Sequence, residues 1–204
     1  MASSTSTFAQ LSFGVKAGLN LTNMTVKSNS EKETFSSKFG YNAGGFADYS
    51  ISDLLGIETG LNVEMKGYQI NNEFKGVIGN YTETIKKNLV YVTIPIDAKL
   101  SFGSFCILGG PYLGIAATGK TKTKQDRSGD DYKHTEKVKF GNEKGKSSLK
   151  RVDLGVGLGV GYEINNHIGI RMGYDLGLAN LQPGGDKNNS SKNGSFNISA
   201  TYKF

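Results

Sequence analysis

Apolar and polar residues alternate along most of this chain. At the C-terminus, one face of the alternating segment carries Phe196, Ile198, Ala200, Tyr202 and Phe204, and the residues between them are polar. Side chains of a strand point alternately to its two faces, so this segment is predicted to be a strand with one apolar face. Seven other segments share the pattern. The eight predicted strands span residues 12–22, 39–51, 55–69, 88–101, 105–118, 151–164, 168–180 and 195–204.

The connections between these predicted strands alternate strictly in length. Three are tight turns: Ser52–Asp53, Gly103–Ser104 and Asn165–His167. Four are long and polar: 23–38, 70–87, 119–150 and 181–194. An up-and-down barrel with this alternation has all its long connections at one end. Outer-membrane barrels are built in this way, with short periplasmic turns, long external loops and an even number of strands.

The turn at Gly103–Ser104 predicts how two strands pair. Glycine at the first position suits a two-residue hairpin turn. The hairpin would pair Ile94 with Leu113 and Leu100 with Ile107, which places these side chains on the apolar face.

Two prolines complicate the predicted sheet. Pro95 and Pro111 lie inside predicted strands, and each lacks the backbone N–H that a strand donates to its neighbour. We therefore expect a local bulge or a water molecule at both prolines.

The two faces differ in a way that favours lipid outside the barrel over a soluble barrel with an apolar interior. The polar face is rich in glycine, as at Gly155, Gly157, Gly159 and Gly161, and small residues suit the narrow lumen of an eight-stranded barrel. Aromatic residues near strand ends suit the membrane interface. They include Phe13, Tyr49, Phe102, Tyr162 and Phe204.

The charges on the polar face are of both signs and nearly balance. Because buried charges must be paired, a closed lumen would hold them as a network of ion pairs. The predicted network consists of Lys16, Asp48, Glu58, Glu64, Lys66, Asp97, Lys99, Arg151, Asp153, Glu163, Arg171, Asp175 and Lys203.

Composition agrees with a chain of many strands in one domain. The 204 residues include 28 glycines and 3 prolines, and 37% are hydrophobic. The single Cys106 excludes an internal disulfide, and no run of about 18 apolar residues could form a membrane helix.

We predict an all-β, eight-stranded antiparallel up-and-down transmembrane β-barrel over residues 12–204. Residues 1–11 would be an N-terminal tail or the remnant of a signal peptide.

Several short segments resemble the PorT-like outer-membrane β-barrel proteins of Bacteroides-type Gram-negative bacteria. They are Gly14–Asn20, Tyr91–Lys99, Gly110–Gly114, the glycine ladder 155–161 and the final Tyr202–Phe204. The resemblance spans nearly the whole chain and implies the fold and the location. It does not imply one activity, since one member aids protein secretion.

The long connection 119–150 carries most of the net charge. It has ten basic and five acidic residues, against a net charge of +6 for the whole chain. Alternation within it predicts a hairpin that continues two barrel strands beyond the membrane, with a turn at Ser128–Asp131. Its lysines are candidates for binding anionic lipopolysaccharide or an acidic glycan. They are Lys120, Lys122, Lys124, Lys133, Lys137 and Lys139.

These patterns favour a non-enzymatic, monomeric outer-membrane protein that presents extracellular loops for binding or a structural role, with periplasmic termini. A narrow transport pore is the alternative. A lipid-modifying enzyme that uses His134 with Ser128 is a weaker one. Expected partners are membrane lipid, lipopolysaccharide and a surface or secretion-machinery protein. Nucleic acid and cofactors are not expected.

Overall fold

Ten strands form one antiparallel sheet in the part of the chain that the computed structural model describes, which is residues 10–29, 31–76, 79–127 and 130–204. The strands are β1 Gln10–Ser28, β2 Glu31–Thr34, β3 Lys38–Ser50, β4 Leu55–Gly76, β5 Gly79–Phe102, β6 Phe105–Arg127, β7 Asp130–Lys137, β8 Val152–Glu163, β9 Ile168–Gly177 and β10 Ser190–Lys203. These residues include no helix that is long and apolar enough to cross a membrane.

Eight of the strands close into a ring. Their order is β1, β3, β4, β5, β6, β8, β9 and β10, and β10 pairs with β1. The ring confirms the predicted eight-stranded antiparallel barrel. Among the described residues, β2 pairs only with β1 and β7 pairs only with β6, so both lie outside the ring.

The tight turns all lie at one end of the barrel, which we call the short-turn end. Gly103 adopts a φ of 61°, a conformation that favours glycine, and the β5–β6 hairpin pairs Ile94 with Leu113 and Leu100 with Ile107 as predicted. β1 begins at Gln10, two residues before the predicted boundary. Residues 1–9, which make up most of the proposed N-terminal tail, lie outside the described part of the chain.

The opposite end, which we call the long-connection end, contains more strand than predicted. β4 and β5 extend into most of the predicted connection 70–87 and pair as far as Gly76 and Gly79. β6 continues to Arg127 and pairs with β7, so a hairpin is present as predicted, but it continues only one barrel strand and not two. Its second arm is a separate strand, because residues 138–151 interrupt the path from β7 to β8. The turn residues Ser128 and Gly129 lie outside the described residues.

Of the two possibilities expected at each proline, the bulge is wrong, and the water molecule stays a prediction. β5 and β6 keep one register from Pro95–Tyr112 to Ala98–Gly109, so neither proline shifts it. Each proline instead interrupts one ladder locally. The β4–β5 ladder skips the residues opposite Pro95, while the hydroxyl of Thr59 donates to the Pro95 carbonyl oxygen at 2.7 Å. The register shift of the β5–β6 pair lies at Val90–Tyr91.

The outer face of the ring is apolar over a height that suits a bilayer. On β8 the exposed side chains run from Val152 to Tyr162. Ten residue steps cover about 33 Å along a strand, or about 25 Å along the axis of a barrel tilted by roughly 40°. Exposed aromatic residues border this band at both ends: Phe13, Tyr49, Phe102, Phe105, Tyr162 and Tyr202 at the short-turn end, and Phe39, Tyr41, Tyr174 and Phe196 at the long-connection end.

A hydrophobic core fills the barrel mouth at the long-connection end. Inward-facing residues of four ring strands meet residues of the connections 138–151 and 178–189 there. We call this core the apolar lid; its buried members are Met24, Tyr68, Leu89, Tyr91, Ala116, Val138, Leu149 and Leu181.

Candidate functional site

A chain of ion pairs crosses the lumen near the short-turn end. Lys99 and Lys203 both contact Asp48 Oδ2, with the Lys203 Nζ at 3.5 Å. Lys203 also lies 3.5 Å from Glu163 Oε1, which accepts a hydrogen bond of 2.8 Å from Arg171 Nη2. The same Arg171 nitrogen lies 3.5 Å from a carboxylate oxygen of a sixth residue, Glu58. Three cations and three carboxylates from six strands therefore bridge the lumen with balanced charge.

A second cluster lies below the apolar lid, around Lys66. The Lys66 Nζ is 3.5 Å from Glu64 Oε2 and 3.6 Å from Asp153 Oδ2, and only 1% of Lys66 is exposed. The ammonium also lies 4.3 Å from the centre of the Tyr112 ring. Asn193 Nδ2 donates to Asp153 Oδ2 at 2.9 Å. Because the aromatic face and both carboxylates attract the cation, Lys66 is held at the centre of this cluster.

Between these clusters lies a polar cavity of about 90 Å³. Lys16, Asp97 and Asp175 line it together with several amides. Asn197 Nδ2 donates to Asp175 Oδ2 at 3.3 Å. The cavity has space for a few water molecules rather than a continuous channel.

Arg151 is the exception among the predicted lumen charges. It precedes β8 and is exposed at the long-connection end, where Nη1 donates to the Ala116 carbonyl oxygen at 3.3 Å and the guanidinium lies over the Phe140 ring. Strict alternation places Arg151 on the lumen face with Asp153, but β8 begins only at Val152. Arg151 therefore belongs to the rim above the lid, and the other twelve charged residues face the lumen.

The lumen is closed at two levels among the described residues. The apolar lid fills the long-connection end, and the ion-pair chain crosses the other end. Below the ion-pair chain, a vestibule of about 730 Å³ opens at the short-turn end. This arrangement does not favour the pore alternative.

A β-bulge in β6 determines where the lysines of the protruding hairpin point. Val90 pairs with Thr118 and Tyr91 pairs with Ala116, so Ala117 has no partner on β5. An extra residue reverses the side-chain alternation beyond it. Ala116 faces the lumen, but Lys120 and the alternate residues after it face outward.

The outward lysines converge on one surface. Lys122 lies opposite Lys86 on β5, and the adjoining arm of the hairpin adds lysines of β7. Burial and the neighbouring Lys86 and Lys122 lower the pKa of Lys38, which precedes the aromatic residue Phe39 and lies outside the membrane band. We call this surface the lysine face; it consists of Lys38, Lys86, Lys120, Lys122, Lys124, Lys133 and Lys137.

The remaining predicted site residues lie apart from the lysine face. Lys139 follows the end of β7 and is exposed in the connection. His134 lies on β7 and His167 lies in a turn at the opposite end, so the two do not meet. Ser128, the proposed partner of His134, lies outside the described residues. Those residues contain no group of three potential metal ligands.

Sequence analysis missed Lys38 and Lys86 because both lie at the edges of predicted connections. The alternation of threonine, isoleucine and lysine in Thr84–Lys87 could have indicated Lys86. It extends the predicted strand 88–101 towards the long-connection end. Lys38 has no comparable signal. Its position depends on where β3 meets β4, and the Lys38 Nζ contacts Met65 Sδ there at 3.3 Å.

Comparison with known proteins agrees with this architecture. A family model described as the outer membrane protein β-barrel domain matches residues 2–182. No curated protein matches the sequence.

Three similar solved structures are bacterial outer-membrane barrels. Ail, the attachment invasion locus protein of Yersinia pestis, is 15% identical with a TM-score of 0.43, over 95% of this chain and 98% of Ail. Neisserial surface protein A is 16% identical with a TM-score of 0.40, over 96% of this chain and 99% of that protein. OprG of Pseudomonas aeruginosa is 17% identical with a TM-score of 0.36, over 95% of both chains. Similarity at this level carries no information about ligands.

Proposed function

Since the chain belongs to the outer membrane protein β-barrel domain family, we propose that it works without catalysis, by presenting its long-connection end at the cell surface. In this orientation the short turns and both ends of the described chain are periplasmic. The unequal lengths of the connections support the orientation, because outer-membrane barrels place their long loops outside. The protein acts as a monomer, since the ring closes within one chain.

The proposed activity is binding of anionic lipopolysaccharide by the lysine face. One observation carries it: two lysine pairs, Lys86–Lys122 and Lys120–Lys137, lie directly opposite each other on neighbouring strands. Like charges in directly opposed positions destabilise a sheet. A polyanion bound across the strands would relieve this repulsion, and the surface lies just above the exposed aromatic residues Phe39 and Tyr41, at the level of lipid headgroups.

Lipopolysaccharide binding at two salt concentrations tests this role. Substituting Lys86, Lys120, Lys122 and Lys137 by glutamine removes four charges but keeps the strands. We expect the detergent-solubilised variant to bind lipopolysaccharide at least about tenfold more weakly at low salt, and to lose most of the salt dependence, because salt screens exposed charges.

A matched control variant has the same net charge as the first variant but leaves the lysine face intact. Substituting Lys139, Lys144, Lys146 and Lys187 by glutamine removes four exposed lysines of the connections. We expect its affinity to stay close to that of the unmodified protein. Equal losses in both variants would mean that overall charge, not the lysine face, governs binding.

A secretion-associated role, as in one member of the PorT-like proteins that the sequence resembles, is a finer form of the same proposal. In this form the protruding sheet of β4 to β7 would contact a protein at the cell surface. A pull-down that compares the intact protein with a variant lacking residues 121–136 distinguishes the secretion-associated role from lipopolysaccharide binding. Loss of a specific protein partner with unchanged lipopolysaccharide binding would favour the secretion-associated form.

A further inference from the structure

A pocket of about 290 Å³ lies on the wall of the barrel away from the lysine face. β2, β1, β10 and β9 border it, at the long-connection end. Its lower part is apolar and consists of Tyr174, Leu176 and Leu178, whose side chains are exposed on the membrane-facing side. The pocket therefore begins within the apolar band and ends above it.

The upper part of the pocket is basic. Lys27 on β1 lies directly opposite Lys32 on β2, and Lys192 on β10 lies opposite Thr25, one outward position nearer the membrane. Directly opposed residues have Cβ atoms about 5 Å apart and diagonal neighbours about 7–8 Å. Lys32 and Lys192 lie on opposite sides of β1, about 10 Å apart across the sheet. One phosphate group above Lys27 is therefore within reach of all three flexible lysine side chains.

No described residue that lines the pocket neutralises these charges. Among the described residues, none that lines the pocket is acidic, and none of the three lysines forms an ion pair. Placing like charges directly opposite each other costs stability. A bound anion would attract the lysines and so offset the repulsion between them.

Gly194 keeps the pocket open between its two halves. A Cβ at this position would lie 2.5 Å from Asn23 Oδ1 and 2.6 Å from the Tyr174 hydroxyl oxygen. Because Gly194 has no side chain, the Tyr174 hydroxyl and the Asn23 amide can lie against β10, at the boundary between the apolar and basic parts of the pocket. The pocket is therefore amphipathic along the membrane normal.

We propose that this pocket binds one phosphorylated lipid, with its phosphate held by Lys27, Lys32 and Lys192 and an acyl chain packed on Tyr174, Leu176 and Leu178. The occupant is the lipid A part of lipopolysaccharide, because the proposed orientation places the pocket in the outer leaflet. The inference rests on that orientation but not on the lysine face. A volume of 290 Å³ accommodates the headgroup phosphate and the first part of one chain, and the rest of the lipid lies along the apolar wall.

Native mass spectrometry of the detergent-purified full chain tests the site with defined lipids. The probes are bisphosphorylated lipid A, lipid A without phosphate, and phosphatidylglycerol. We expect the unmodified protein to bind one bisphosphorylated lipid A, and to bind the unphosphorylated form about tenfold more weakly, the equivalent of at least one lost charge-assisted hydrogen bond. Substituting Lys27, Lys32 and Lys192 together by glutamine should produce the same loss.

A variant with Lys86, Lys122 and Lys137 replaced by glutamine is the matched control, since it removes three charges from the lysine face. It should keep the single tightly bound lipid A, and this result separates failure of the pocket from failure of the proposed function. Heat-modifiable gel mobility checks that all variants fold. Unchanged lipid A binding in the pocket variant, or equal losses in both variants, would overturn the proposal. Equal binding of phosphatidylglycerol would overturn lipid A as the occupant.

Discussion

Leu158 and Tyr132 are both exposed, but they face different surroundings. Leu158 lies at the middle of β8 and is 68% exposed, and Tyr132 lies on β7 above the membrane band and is 57% exposed. Exposure alone does not distinguish lipid from water. The cost of a charge does, because the middle of a bilayer cannot solvate it.

We predict that Leu158→Arg lowers the free energy of unfolding by about 2–4 kcal/mol, the cost of an arginine near the bilayer midplane. Tyr132→Arg is the control and should change it by no more than about 0.5 kcal/mol, as for an ordinary surface substitution. Urea titration in phospholipid vesicles, read out by gel mobility, gives both values. Equal effects of the two substitutions would contradict the assignment of the outer face to lipid.

Lys66 is the most deeply buried cation of the lumen. It neutralises two carboxylates, those of Glu64 and Asp153, and is itself almost fully buried. We predict that Lys66→Leu destabilises the barrel by about 3–5 kcal/mol, because removal of one partner leaves the other charges buried without compensation. The same urea titration measures the loss.

Lys146→Leu provides the matched control for this substitution. Lys146 pairs with Glu143 at 2.9 Å, but both side chains are mostly exposed. Exposed ion pairs contribute at most about 1 kcal/mol, so a small effect is expected. A Lys66→Leu variant as stable as the Lys146→Leu variant would show that the buried cluster contributes little to folding.

At the scale of the element, the strands above the membrane form a four-stranded sheet made of the upper parts of β4, β5 and β6 together with β7. The inner strands have a partner on both sides, but in the described part of the chain β7 pairs only with β6. The bulge at Ala117 determines which way this sheet presents its lysines.

Hydrogen exchange measures the order of this sheet. We predict that amides of residues 120–125 in β6 exchange slowly, because they lie between β5 and β7, and that amides of 132–137 exchange faster because β7 is an edge strand. The connection 182–189, which contains no strand, serves as the internal reference. If residues 120–125 exchanged as fast as this reference, the sheet would not persist in solution.

The sequence predicts the barrel well because lipid and lumen impose a strict alternation on every ring strand. It does not predict the bulge, since residues 105–118 are apolar on both faces and Ala117 carries no distinguishing signal. It also does not predict the apolar lid. Leu149 and Leu181 are isolated apolar residues in polar connections, and only the closed ring brings them above Leu89 and Tyr91.

The candidate sites show the same limit. Most lumen charges follow from alternation, but the pairing order within the network depends on strand register across the ring. Alternation predicts that Arg151 faces the lumen because the pattern continues through it, but β8 begins one residue later. The pocket around Gly194 unites residues that are more than 160 positions apart in the chain, such as Lys27 and Lys192, so no local pattern indicates it.

At the scale of the whole molecule, the barrel has two closures of different chemistry. The apolar lid excludes water at the long-connection end, and the balanced ion-pair chain fills the lumen near the other end. The cavity of about 90 Å³ and the larger vestibule are lined by different residues. An ion that crossed the barrel would have to displace both closures.

We therefore predict no steady conductance when the protein is inserted into planar bilayers, with heat-modifiable gel mobility as the check on folding. Replacing Leu149 and Leu181 by serine weakens only the lid, so this variant should also remain closed because the ion-pair chain of Asp48, Lys99 and Lys203 is intact. Uniform, long-lived current steps from the unmodified protein would contradict the closed lumen. Such steps from the lid variant alone would mean that the lid is the barrier and that the ion-pair chain lets ions pass.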